Sequence, residues 1–185
     1  YKRFTLANSN FEITNEGKLK DLTLTGVTED LDNLYGENPT VLNTIPEAGK
    51  TYTVSSVDDL VYLRTVVNAA TGNSTCDGVT FKLGNDITLT GTWTSIGTTA
   101  AKCFSGTFDG CGYEITGIGG NGLFKYASNA VIKNLTVSGS TSYAYASGFV
   151  GNVDSGTLLI DNCINNVSYS SSNANFGGFV AYILG

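Results

Sequence analysis

The sequence predicts an all-β solenoid carrying one short helix. Three observations lead there. Phe11 to Gly26 reads FEITNEGKLKDLTLTG, and Phe124 to Gly139 reads FKYASNAVIKNLTVSG, a gapless match at an offset of 113 positions. Closer units recur as well: Ile132-Lys-Asn-Leu-Thr-Val precedes Ser147-Gly-Phe-Val-Gly, and Ile160-Asp-Asn-Cys-Ile precedes Gly177-Gly-Phe-Val-Ala. Short strands and Gly turns repeating every ~20–30 residues indicate coils that stack like residue on like residue. Third, composition suits strands and turns: 23 of 185 residues are Gly, 2 are Pro, and only 14% are charged, against about 25% in ordinary soluble domains.

Residues 1–26 read as one or two strands and as the tail of a preceding module. Residues 27–50 mix acidic and apolar residues with turn signals at Tyr35-Gly36-Glu37-Asn38-Pro39 and Pro46-Glu47-Ala48-Gly49, and read as a linker. A helix is expected over 56–68. Ser56 can cap it, with Asp59 three residues later, and Asp58 and Asp59 suit its positive end. Leu60, Leu63 and Val67 recur at helical spacing. From 51 to 185 the chain reads as one solenoid module, a window on a longer array. Ile132/Ile160, Leu135/Cys163 and Phe149/Phe179 are expected as interior stacks. Asn134 and Asn162 are expected at bends, where Asn tolerates a left-handed backbone and can bond the neighbouring coil's backbone.

Several motifs in order carry a family likeness: SSVDDLVYLRTVVN, VTFKLGNDITLTGTWTSIG, FSGTFDGCGYEITGI, GLFKYASNAVIKNLTVSGS, GFVG, DNC and GGFVA. Together they resemble the GLUG-repeat type of pectin-lyase-like right-handed parallel β-helix, found in large extracellular surface and adhesin-like proteins. The likeness spans about 51–185. It departs from the family at Cys111, where Asn is usual, at Lys125 for Gly, and at Ala181 for Gly. The resemblance implies a right-handed parallel β-helix serving as an extracellular shaft, with no agreed catalytic residues. It also gives the helix a purpose, because the open end of such a helix exposes unpaired strand edges that need covering.

Chemistry is sparse. With no His, no Ser-His-Asp triad or His metal ligand can be built. Asp86, Asp109, Asp154 and Asp161 fall in separate coils, and Asp86 and Asp109 suit turns. Gly117-Ile-Gly119-Gly120-Asn-Gly122 matches a dinucleotide fingerprint but lacks the following helix, so turn glycines explain it. No catalytic residue, cofactor or metal is expected. A net charge of −6 offers no basic stripe for nucleic acid, and no apolar run approaches the ~20 residues of a membrane span.

Among the four cysteines, Cys103 and Cys111 flank FSGTFDG and are candidates for a local disulfide, with buried free thiols as the alternative. Asn73, Asn134 and Asn166 head glycosylation sequons, which a chain rich in Asn, Ser and Thr also produces by chance. Tyr143, Tyr145 and Tyr169 fall between coils and are candidates for glycan or protein contact, or for loop packing. The expected function is a structural or adhesive module of a secreted or cell-surface protein, partnered by neighbouring copies, other surface proteins or glycans. A self-assembling fibre subunit and a polysaccharide lyase or hydrolase are the alternatives.

Overall fold

The computed structural model describes residues 40–70, 76–170 and 175–184. They form a parallel β-solenoid of about 4 turns with one helix. The expectations for residues 1–26 lie outside the described residues.

Each full turn visits three sheets in the same order. Sheet A holds β1 (Thr40–Val41), β2 (Thr51–Val54), β3 (Thr80–Leu83), β5 (Thr107–Asp109), β8 (Ala130–Lys133) and β11 (Leu158–Asp161). Sheet B holds β4 (Ile87–Thr88), β6 (Glu114–Ile118), β9 (Thr136–Thr141) and β12 (Ile164–Tyr169). Sheet C holds β7 (Phe124–Tyr126), β10 (Val150–Val153) and β13 (Val180–Ile183). All pairings between these strands are parallel. Such coils satisfy their backbone groups only through the coil on either side, so the fold is nearly one-dimensional.

Register turns sequence spacing into interior columns. Tyr52, Phe81, Phe108, Ile132 and Ile160 align through sheet A. Ile87, Ile115, Val137 and Asn165 align through sheet B. Phe124, Val150 and Val180 align through sheet C. Phe104 fills the space between sheets, stacked on Phe124 at 4.6 Å and edge-on to Phe108 at 6.4 Å. The expected stacks Ile132/Ile160 and Phe149/Phe179 are present, the latter with ring centroids 5.3 Å apart.

The helix α1 (Val57–Ala69) follows β2 directly. The Ser56 hydroxyl accepts the Asp59 amide at 3.1 Å, and the Asp59 carboxylate accepts the Ser55 amide at 2.8 Å. Leu60, Leu63 and Val67 are fully buried, as their spacing predicts. Two bonds fasten the helix to the next coil: Arg64 donates to the Thr94 carbonyl, and Asn68 accepts the Gly97 amide. The end of the expected linker over 27–50 differs from its reading. Its residues 40 and 41 form β1 and extend sheet A, and Leu42 is buried in the core.

The corner from sheet A to sheet B is built the same way in successive coils. Cys111, Asn134 and Asn162 hold left-handed backbone, with φ of 53°, 52° and 49°. Gly110 precedes this corner because the next coil passes within 2.6 Å of where its Cβ would lie, at Leu135 Cα. The run from Gly117 to Gly122 leaves β6 and turns into β7, with no helix after it.

Candidate functional site

The outer face of sheet A carries a ladder of alternating charge. Lys82, Asp109, Lys133 and Asp161 are register partners in consecutive coils. Opposite charges facing each other across strands favour this register over a slipped one. Lys133 Nζ lies 3.5 Å from Asp109 Oδ2. Asp109 is buried, which pushes its carboxyl up. Hydrogen bonds from Asn134 and the Cys111 amide, and the Lys133 ammonium, outweigh that effect and hold it below the usual range. The carboxylates expected to fall in separate coils do so: Asp109 and Asp161 alternate with lysines in the ladder, whereas Asp86 precedes β4 and Asp154 follows β10, both outside it. Among the described residues, no group of three or more His, Cys, Asp or Glu is placed to hold a metal.

Asn134 and Asn162 join this ladder through their amides. Asn162 Nδ2 donates to Asn134 Oδ1 at 2.8 Å, and Asn134 Nδ2 donates to Asp109 Oδ1 at 3.0 Å. The bends are therefore as expected, but the bonds run between side chains of neighbouring coils. Of the sequon residues, Asn134 has both ends of its amide engaged, Asn166 is exposed on β12, and Asn73 lies outside the described residues.

All four cysteines are free, so the suggested Cys103–Cys111 bridge is not formed. Cys103 is buried ahead of Phe104, while Cys111 is exposed beyond the far end of β5. An extended three-residue strand spans about 10 Å, more than the ~7 Å over which Cα atoms can be bridged. Cys76 is pushed up to about 12 by burial and by neighbouring Cys103. Burial also raises Cys103, Cys111 and Cys163.

The three candidate tyrosines part company. Tyr169 is not in a loop: it ends β12, half-buried, with its ring 5.1 Å from Phe176. Its hydroxyl accepts from Asn165 Nδ2 at 2.8 Å and donates to the Gly177 carbonyl at 3.2 Å. Tyr143 borders a glycine-lined groove beside Gly117 to Gly120. Tyr145 instead borders a separate hollow of about 390 Å³, with Asn121, Lys125, Tyr126, Asn152 and Tyr182.

That hollow lies across sheet C. Tyr126, Asn152 and Tyr182 are register partners in three consecutive coils. Tyr145 meets Tyr182 edge to face, with centroids 5.7 Å apart at 78°. Lys125 Nζ sits 5.8 Å from the Tyr126 ring centroid. Tyr145 is 46% exposed and Tyr182 38%. Reasoning from the sequence missed Tyr126, Tyr182 and Lys125. The signal that could have found them is the coil spacing itself, carried from Tyr126 through Asn152 to Tyr182.

No helix among the described residues is long and apolar enough to cross a membrane. No family model, curated protein or solved structure matches the chain.

Proposed function

We propose that the chain is a structural and adhesive module of a secreted or cell-surface protein, of the GLUG-repeat, pectin-lyase-like kind its motifs resemble. The observation that carries this reading is the solenoid itself. Coil after coil repeats the same strand, corner and interior column, an arrangement suited to rigid extension. Low charge and Gly-rich, Asn-rich turns suit an exposed shaft. Neighbouring copies are the expected partners. On the last described coil, Leu158, Ile160, Phe179, Val180 and Ile183 line a hollow of about 570 Å³, an apolar surface of the kind on which a further coil stacks. Ile183 is 67% exposed there.

Two measurements test this. Antibody against the purified chain should label unpermeabilised source cells or their secreted fraction, and purely internal labelling would remove the surface reading. Sedimentation over a concentration series should show self-association that Ile183→Lys weakens. A monomer at every concentration would remove stacking between copies.

A further inference from the structure

We propose that the hollow across sheet C is a glycan-binding site, in which Tyr145 and Tyr182 stack on pyranose rings of an extended oligosaccharide. The proposal deepens the adhesive reading and rests on it for its setting.

The chemistry of the hollow selects the ligand. Its side chains are three tyrosines, two asparagines and one lysine. No aliphatic side chain is among them, so an apolar peptide anchor has no pocket to fill. One ammonium on a chain of net charge −6 is a poor match for a phosphate backbone. Aromatic faces with amides and hydroxyls around them match a sugar ring, which has an apolar C–H face and a rim of hydroxyls. Tyrosine supplies both halves of that match, an apolar body and a polar tip.

The geometry keeps these groups available. Asn121 Nδ2 donates to the Ala144 carbonyl at 2.9 Å and the Tyr145 carbonyl at 3.3 Å. Asn152 Nδ2 donates to the Lys125 carbonyl at 3.3 Å. Asn121 spends both amide hydrogens on placing the loop and Asn152 spends one on its strand, and among the described residues neither amide oxygen accepts a hydrogen bond, so each is left to accept a sugar hydroxyl. Lys125 forms no ion pair among the described residues, so its ammonium can meet a hydroxyl or a uronate carboxylate.

Two further features point to a built site. Tyr145 holds a left-handed backbone, φ 54°, a conformation that disfavours any non-glycine residue. The Asn121 amide holds the loop in that conformation, with the ring against Tyr182. Coils lie about 4.8 Å apart in the ladder direction, so Tyr126 and Tyr182 stand about 10 Å apart. The site therefore runs along the solenoid axis and suits a linear chain crossing several coils.

The test is calorimetric titration of the purified chain with linear hexasaccharides, neutral (β-glucan, xylan and mannan) and uronate (galacturonan). At least one should bind. Tyr182→Ala and Tyr145→Gly, which tolerates the left-handed backbone, should each weaken it about tenfold, the loss of one ring contact worth ~1.4 kcal/mol. Tyr182→Phe should retain most of the affinity, because stacking needs the ring and not the hydroxyl. Tyr143→Ala, in the other groove, should leave it unchanged. A uronate preference that disappears in Lys125→Gln would support an acidic ligand at that end. Circular dichroism and melting temperature confirm that each variant is folded. No binding by any hexasaccharide, or binding indifferent to both tyrosines, overturns the proposal. Surface labelling and self-association are read separately, so the adhesive reading can fail or stand independently.

Discussion

The coil formed by β5, β6 and β7 and the last described coil, formed by β11, β12 and β13, are built to one plan and end differently. Phe108 and Ile160 share a column, as do Phe124 and Val180. Phe108 and Phe124 are fully buried, whereas Ile160 and Val180 are half-buried. In sheet B, the column that holds Ile115 in the earlier coil holds Asn165 in the later one. Register alone does not bury a residue in a solenoid. Burial comes from having a coil on both sides. On its sheet B side the last described coil carries polar chemistry, where Asn165 bonds the Tyr169 hydroxyl and the Gly178 carbonyl.

The largest expected effect breaks this comparison at its aromatic columns. Phe124→Ala removes a ring packed against both Phe104 and Phe108 and should destabilise the chain by about 3–5 kcal/mol. Phe179→Ala removes a ring stacked on Phe149 that is 41% exposed, and should cost about 1 kcal/mol of partial burial. Urea midpoints of the two variants measure the contrast. Equal losses would mean that the last described coil is as well packed as the earlier one.

The asparagine corner gives the next contrast. Asn134→Gly keeps the left-handed backbone but loses the bond to Asp109 and the bond from Asn162. Asn162→Gly loses only the one shared bond, on a more exposed residue. Losses of about 2 and under about 1 kcal/mol are expected, since a bond to a charged group is worth more than a neutral one. Similar losses in both variants would show that the ladder does not depend on its Asp109 end.

Much of this organisation was legible beforehand, and the missing parts share a cause. Leu60, Leu63 and Val67 face the core because helical period is local. Ile132/Ile160 and Phe149/Phe179 stack because their motifs carry recognisable spacing. Strand β1, in contrast, hides among turn signals, and its partner β2 shows that it is a strand. The charge ladder needed the register of β3, β5, β8 and β11, whose spacing varies between coils. Tyr169 was misplaced for a similar reason: β12 is longer than its apolar pattern suggests, and its polar interior partner Asn165 does not read as core. The tyrosine hollow joins a loop to three strands, so no single stretch of sequence displays it.

A smaller effect comes from acid. The net pKa of Asp109 is lowered in the folded chain, so its ionised form stabilises the fold. That contribution is present above the ordinary carboxylate range and is lost as pH falls through the lowered folded value. Stability should therefore fall below about pH 4, starting at the ordinary Asp value of ~3.9. In Asp109→Asn this part of the acid dependence should be missing, and the variant should be the less stable at pH 7. Melting curves from pH 2 to pH 7 check this. Parallel curves for the two proteins would show that the Lys133, Asn134 and Cys111 contacts do not stabilise the charge.

The smallest effect is a gain, and it sharpens the comparison at one shared corner. Cys111, Asn134 and Asn162 occupy the same left-handed turn in successive coils, but only the asparagines belong to a type that tolerates it readily. Cys111→Asn should therefore raise stability, by up to about 1 kcal/mol of relieved backbone strain. Its amide would also stand beside Asp109, whose Oδ1 already accepts the residue 111 amide at 2.9 Å. A thiol count separates strain from chemistry. All four thiols have a raised pKa, but Cys111 is the one exposed, Cys163 is half-buried, and Cys76 and Cys103 are buried. A thiol reagent should modify Cys111 first in the native chain and leave Cys76 and Cys103 until unfolding. If Cys111→Asn lowers the urea midpoint, the corner is held by the cysteine's own packing, and its likeness to the asparagine corners ends at the backbone.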